Sequence, residues 1–521
     1  MKRCPSLLLL FLLLLATPSA RAEDWFARTL LRVPGIPKTV LVCDLDEDGR
    51  PDLAVAYAVS RQPQLRFYVH LAAYLQTPKG FSSEPDALMP LAHGESAVFL
   101  AEADASHRGR DLVTLGARGI SSWSVERKAG RARWREKNLG ASTDTWLGPD
   151  WSGVRQIDLA ADLEGDGRDE IFVPGRDGLL VLAQGPDGRY APRDRLRASV
   201  FRETGQPDDP GHLIDFFDRY GAKVSETFPE IHISDVNGDG RRDLLLTYAD
   251  VVATYLQRPD RHLEADPSVF RGGGSSNVEL LRSAVPPKMV TIRPYDFDGD
   301  GRADLLFSRS EVRGLKGIVT LDLYRNKNGS FERKPAFHLK QDALALWPIV
   351  SDYDRDGKLD FTYLQTEFGL REIIRFLLTR RVTFHYDFYT WGGATAFADR
   401  PTQRKDVSVK FELKEAHLSA FPLVDVDQDF NGDGIPDFYA VREREAFSVY
   451  FGRPRAQDGF FSGSPDLQVH VHQSFYHRFA DLNEDGRTDV VFWYQSEGLR
   501  PDLNDKVLVL TTPPSTPPSG R

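Results

Sequence analysis

One phrase recurs along the chain and constrains its fold more than any other feature. It reads Asp-x-Asp/Asn/Glu-x-Asp-Gly-x-x-Asp/Glu and is followed each time by a short run of Leu, Ile, Val, Phe and Tyr. Copies begin at Asp44, Asp162, Asp235, Asp296, Asp352, Asp429 and Asp481, too many to be chance. The gap after the first is about twice the others, and a worn copy fills it: DASHRGRDLVTLG from Asp104, which has lost one residue and carries Arg108 in place of a carboxylate. Eight units of roughly 50 to 77 residues result. That is the length of one four-stranded propeller blade with its loops, a unit that buries its apolar faces only against its neighbours.

Each unit reads as strands. An apolar stretch such as Val40–Val42 or Ile231–Ile233 precedes the phrase, and Leu53–Tyr57, Leu244–Tyr248 or Val490–Tyr494 follows it. A third run then meets a hairpin signal, Asn328-Gly329, Asp187-Gly188 or Asp458-Gly459, whose residues tolerate positive φ. The last unit supplies Val507–Thr511 and then becomes TPPSTPPSGR, one strand short, while Phe26–Val33 precedes the first phrase without a blade of its own. These ends predict an all-β, eight-bladed propeller over residues 23–511, closed by the N-terminal strand in the last blade; a seven-bladed ring is the alternative. Residues 512–521 are expected to be a Pro-rich disordered tail.

Residues 1–22 are expected to be a signal peptide: Lys2 and Arg3 precede an apolar run from Leu7 to Ala16, and Ala20-Arg21-Ala22 fits a cleavage site. The chain would then be exported, to the periplasm or outside the cell, with no transmembrane segment. The full chain carries 66 Lys+Arg against 76 Asp+Glu, a net charge of −10. Loss of Lys2, Arg3 and Arg21 with the leader makes the mature charge −13. That sign argues against nucleic acid or an anionic membrane as partner. Only Cys43 would remain, so no disulfide framework or Cys-based zinc site can form within a monomer.

The phrase itself is chemically specific. Carboxylates at positions 1, 3 and 5 of a tight loop, a backbone carbonyl at 7 and a carboxylate at 9 converge as a hard divalent cation requires, with Gly at 6 for the turn. In the first copy these are Asp44, Asp46, Asp48, the carbonyl of Arg50, and Asp52. All-oxygen ligation suits Ca²⁺ better than Mg²⁺ and far better than zinc. Four like charges in one turn repel strongly without a cation, although Asp-Gly turns can also hold their shape by side-chain to backbone hydrogen bonds alone. An EF-hand is excluded, because position 12 is Val55, Leu246 or Phe307 inside a strand rather than a bidentate Glu.

Over essentially the whole mature chain this pattern resembles the FG-GAP/VCBS repeat family, the calcium-loop β-propellers also found in integrin α-subunit heads. The resemblance implies up to seven structural Ca²⁺ ions. It extends the ligand role to Asp162, Glu164, Asp166, Glu170 and the Arg168 carbonyl; to Asp235, Asn237, Asp239, Asp243 and the Arg241 carbonyl; and to Asp296, Asp298, Asp300, Asp304 and the Arg302 carbonyl. It likewise implies Asp352, Asp354, Asp356, Asp360 and the Lys358 carbonyl; Asp429, Asn431, Asp433, Asp437 and the Ile435 carbonyl; and Asp481, Asn483, Asp485, Asp489 and the Arg487 carbonyl. It does not extend to the copy at Asp104, where Arg108 would repel a cation.

No other motif carries chemistry. His212, His232 and His385 lack metal-ligand spacing, and Cys43 reads as a buried small hydrophobe. Two units are long. The sixth contains REIIRFLLTRRVTFHYDFYTWGG, where Arg380, Arg381, Tyr386, Tyr389 and Trp391 offer either a partner surface or an extra packed strand. The expected function is an exported calcium-binding module for a protein or carbohydrate partner, as in adhesion. The alternative is a polysaccharide lyase or hydrolase on the same scaffold, for which Asp425 and Asp427 are carboxylates outside the loops, though no acid–base signature accompanies them.

Overall fold

The computed structural model is a closed ring of eight blades. It describes residues 25–513 apart from 62–65, 92–94, 104–108, 117, 129, 141–154, 176–177, 199–201, 206–222, 227–228, 273–287, 314–315, 343, 367–369, 393–396, 399, 411–423, 444, 454–458 and 496–499. The expected leader at 1–22, the core of the worn copy at Asp104–Arg108, His212 and all but the start of the expected tail lie outside the described residues.

Blade 1 pairs Ile36–Cys43, Asp52–Arg61, Arg66–Tyr74 and Ala87–Pro90 in that order, all antiparallel. Blades 2 to 7 repeat the meander from inner strands Glu95–Ala101, Ala160–Ala161, Glu230–Ser234, Lys288–Tyr295, Leu344–Ser351 and Val424–Gln428. In blade 2 the segment Arg155–Gln156 adds a parallel strand against Ala97–Val98 on the inner side. Gln156 there accepts from Arg478 at 3.0 Å and from the Thr39 hydroxyl, so it links the inner strands of blades 8 and 1.

Blade 8 confirms the closure expected from the two ends of the chain. It is built from His477–Ala480, Asp489–Trp493 and Lys506–Thr511, and its fourth, outer strand is the N-terminal Ala27–Arg32, registered from Ala27 opposite Thr511 to Arg32 opposite Lys506.

The cores lie between blades. Eight apolar clusters form among the described residues, each drawing on two successive blades, and the eighth joins blade 8 to blade 1. A sheet with both faces apolar can bury them only in this stacked arrangement, so the ring is stable as a circle and not blade by blade. Cys43 is buried in the cluster between blades 1 and 2, as its sequence context indicated, and burial pushes its thiol far up from its ordinary value.

The meander sorts its connections. The phrase joins first to second strands, so all seven loops stand on one face of the ring. Connections from second to third strands, and from one blade to the next, stand on the other. The long sixth unit places helix α1, Leu370–Thr379, on that second face. Its aromatics are not displayed there: Tyr386, Tyr389 and Trp391 are buried between blades 5, 6 and 7. They lie on or just after the third strand, Arg381–Tyr389, and the extra-strand alternative is the correct one for them.

Candidate metal centres

All seven loops share one local conformation. Positions 4 and 6 both take positive φ, for example Gly299 at 72° and Gly301 at 84° in blade 5, or Glu484 at 55° and Gly486 at 79° in blade 8. Position 6 is always Gly; position 4 is Gly in four copies and Glu47, Arg355 or Glu484 in the others. The positive φ at position 4 was not read from the sequence, where that position carries no fixed residue. A Cβ at Gly301 would meet nothing within 4 Å, so Gly301→Ala is expected to cost only the left-handed backbone penalty, about 1–2 kcal/mol, whereas Glu484→Gly should gain up to about 1 kcal/mol. Denaturant midpoints of the two variants measure both.

The position 1 aspartate organises the turn. In blade 1, Asp44 Oδ1 accepts the Asp48 N–H at 3.1 Å and Oδ2 accepts the Gly49 N–H at 2.8 Å, and Asp235, Asp296, Asp352 and Asp481 repeat both bonds. The position 5 carboxylate accepts the N–H of position 7, as in Asp48 with Arg50 at 3.0 Å and Asp433 with Ile435 at 2.8 Å. Position 2 is apolar in every copy and buried: Leu45, Leu163, Val236, Phe297, Tyr353, Phe430 and Leu482 anchor their loops in the cores.

Position 9 does something the phrase alone did not disclose. Asp52 accepts the Leu45 N–H at 2.8 Å on one oxygen and the Gln76 N–H, just beyond the third strand, at 2.7 Å on the other. Asp243, Asp360, Asp437 and Asp489 make the same pair of bonds, to Val236 and Gln257, Tyr353 and Trp391, Phe430 and Gly452, Leu482 and Thr512. These carboxylates are buried, and burial raises their pKa: Asp52, Glu170, Asp360 and Asp437 to about 7, Asp304 and Asp489 to about 6. Each oxygen still has a lone pair after one N–H bond. Asp111 of the worn copy keeps part of the role, accepting the Ala103 N–H at 3.1 Å.

Positions 1, 3 and 5 converge to different degrees. In blades 1, 5 and 6 the triads Asp44/Asp46/Asp48, Asp296/Asp298/Asp300 and Asp352/Asp354/Asp356 bring one carboxylate oxygen each within 4.8 Å of the others. Two of these show an oxygen that folding leaves without a partner. The Asp46 side chain is 7% exposed; its Oδ2 meets Arg127 at 3.0 Å while its Oδ1 is buried with no hydrogen-bond partner, and burial, then the charge of Asp48, raises its pKa. Asp298 is held the same way, one oxygen on Arg325 and Oδ1 buried and unpaired. A buried anionic oxygen without a partner is costly, and an oxygen-seeking cation is the group this donor set fits.

The other loops differ. In blades 4, 7 and 8 position 3 is Asn237, Asn431 or Asn483, whose amide donates to position 5 at 2.9, 2.9 and 3.3 Å. In blade 3, Glu164 turns to Arg193 at 2.5 Å and Arg261 at 2.6 Å, and Arg193 also reaches Glu170 at 3.2 Å, so arginine supplies the positive charge there. Where position 7 is Arg, its guanidinium also lies on the position 5 carboxylate, as Arg302 does on Asp300 at 2.6 Å, and that hydrogen bond lowers the Asp300 pKa. Lys358 and Ile435 make no such bond. Position 8 ties some neighbouring loops together: Arg242 donates to the Asp162 carbonyl at 2.8 Å and the Thr488 N–H to the Asp429 carbonyl at 2.7 Å. The partners Arg127, Arg193, Arg261 and Arg325 carry no sequence signal, because they come from neighbouring strands and blades.

Two of the histidines singled out have partners within their own blades: His232 Nε2 lies 3.1 Å from the Thr247 hydroxyl and His385 Nδ1 2.7 Å from Asp406. Asp425 and Asp427 lie on the inner strand of blade 7. Among the described residues no helix is long and apolar enough to cross a membrane.

Ring, blades and acidic loops together define a repeat β-propeller. The family profile described as FG-GAP-like repeat matches residues 235–307, 296–362 and 429–492, which contain five of the seven loops. Residues 235–362 and 429–492 therefore carry FG-GAP-like repeats. No curated protein sequence matches it. Among solved structures it is similar to a protein of Agrocybe aegerita described as specifically recognising non-reducing terminal N-acetylglucosamine, at 14% identity, TM-score 0.42, covering 93% of this chain and 100% of that one. It is also similar to Sqt1 of Chaetomium thermophilum, solved with the N-terminus of a ribosomal protein, at 10% identity, TM-score 0.39, covering 95% and 98%.

Proposed function

We propose that this chain is an exported, calcium-stabilised propeller that binds a protein or carbohydrate partner, as an adhesion module does. The observation that carries the metal part is the buried, unpaired carboxylate oxygen in the Asp46 and Asp298 triads. Ca²⁺ bound there would supply the positive charge that blade 3 takes from Arg193 and Arg261. The loops of blades 1, 5 and 6 are the primary sites; those of blades 4, 7 and 8, with Asn at position 3, are weaker, and the blade 3 loop is the weakest. Export rests on the leader pattern at residues 1–22, and calcium concentrations outside the cytoplasm suit sites of modest affinity.

The binding role rests on the scaffold. A closed ring of packed blades displays its connections on a preformed surface, which lowers the cost of ordering them on binding. A glycan array and an affinity capture from the extracytoplasmic fraction, each run with calcium and with chelator, test it. A partner retained only with calcium is the expected result; silence in both assays under both conditions would overturn the binding reading.

A further inference from the structure

The acidic loops occupy one face of the ring, and the exposed apolar residues gather on the other. Eight large hydrophobic side chains are exposed among the described residues. Leu30, Leu88 and Val269 lie on outer strands of the rim. The other five are on the second face. Ile374, Leu377 and Leu378 of α1 are 50, 60 and 80% exposed, and Phe475 and Tyr476, in the connection that enters blade 8, are 42 and 44% exposed. Topology fixes this placement: α1 follows the distal end of Asp360–Thr366, and Phe475 and Tyr476 immediately precede His477, whose strand runs toward the Asp481 loop.

The charge of that helix opposes the charge of the chain. Arg371, Arg375, Arg380 and Arg381 are exposed within and just after α1, against a single acid, Glu372. None of the four arginines has an ion-pair partner among the described residues. In the adjacent blade 5 the strands of the hairpin on the same face end with Arg313 opposite Lys316. A chain with a net charge of −10 therefore concentrates cations beside its most exposed leucines, on the pole away from its acidic loops.

We propose that this face docks on an anionic phospholipid bilayer, with α1 lying in the interface and Phe475 and Tyr476 as a second contact. A short helix with exposed Ile and Leu flanked by arginines, and with aromatic residues on the same face of the ring, is suited to the headgroup boundary, where the stems of arginine reach apolar depth and their guanidinium groups meet phosphate. A second copy of the chain is disfavoured by area. A ten-residue helix offers a footprint of about 150 Å², far below the roughly 800 Å² per partner of a stable interface, and like-charged arginines would face each other.

Co-sedimentation of the full processed chain with vesicles of phosphatidylglycerol and phosphatidylcholine tests this, with pure phosphatidylcholine as the comparison. The wild type is expected to pellet with the anionic vesicles and to be released by high salt. Leu377→Glu/Leu378→Glu should reduce binding at least about tenfold, and Arg371→Glu/Arg375→Glu about fivefold or more per charge. All four side chains are exposed, so both variants should melt with the wild type, which separates lost docking from lost fold. Failure of the wild type to bind, or equal binding by the leucine variant, overturns the proposal. So does a dimer in light scattering that the leucine variant converts to monomer, which would assign the face to a second copy.

Discussion

Deleting residues 23–33 is expected to abolish the folded ring, although these residues lie outside every repeat. The strand they form closes blade 8 and contributes to two inter-blade cores. Phe26 packs against Phe430 and Phe447 with ring centroids 6.4 and 6.2 Å apart, toward blade 7, while Leu31 and Val33 join Val491, Val507 and Val40 at the junction with blade 1. Leu31 is fully buried, so Leu31→Ala alone should cost about 2–5 kcal/mol, a large part of a typical total stability of about 5–15 kcal/mol. The deletion removes all three side chains and the six-residue ladder from Ala27–Thr511 to Arg32–Lys506. It also bares Lys506–Thr511 as an open edge, which invites pairing with another chain. Thermal melting and light scattering should show loss of the cooperative transition, or aggregates, in the deletion variant. Arg28→Ala, at an exposed position of the same strand, should melt within about a degree of wild type. A deletion variant that stays monomeric and melts near wild type would show that the ring does not need its closing strand.

Blade count, ring closure and loop placement were legible because each depends on a local pattern repeated at blade spacing. Asn328-Gly329 marks its hairpin because Asn328 at φ 53° and Gly329 at 88° are required by the turn itself. What escaped the sequence depends on contacts between distant residues. Nothing near Asp46 announces Arg127, some eighty residues on, and nothing near Glu164 announces Arg261. The same holds for position 9: Asp52 reads as a fifth ligand, yet its bond to the Gln76 N–H makes it a staple between the loop and the third strand. The sixth insertion was misleading in another way. Its aromatic content suggested display, but aromatic residues on or next to a third strand of a blade point into the inter-blade cores, as Tyr386 and Tyr389 do. The exposed part is the preceding helix, whose 3.6-residue period is short and lies beside a much stronger strand signal.

Chelation of calcium should lower the melting temperature, and the pattern among variants should identify which loops hold the ion. At a free calcium concentration tenfold above its dissociation constant, one site adds about 1.4 kcal/mol to stability by mass action. Three sites, in blades 1, 5 and 6, then add about 4 kcal/mol, which for a chain of this length corresponds to about 5 °C. Asp46→Asn and Asp298→Asn should each remove roughly a third of that calcium-dependent shift. Glu164→Gln should leave it unchanged, because its carboxylate is committed to Arg193 and Arg261. The sign without calcium is the sharper test. Burial raises the Asp46 pKa, so its charged form is disfavoured in the folded chain, and neutral Asn in its place should be neutral or stabilising once the metal is gone. A residue that stabilises the protein only when calcium is present is a ligand. If Asp46→Asn destabilises equally with and without calcium, or chelator moves no melting temperature, the loops are hydrogen-bonded turns that need no ion, held by the Asp44, Asp48 and Asp52 bonds to their own backbone.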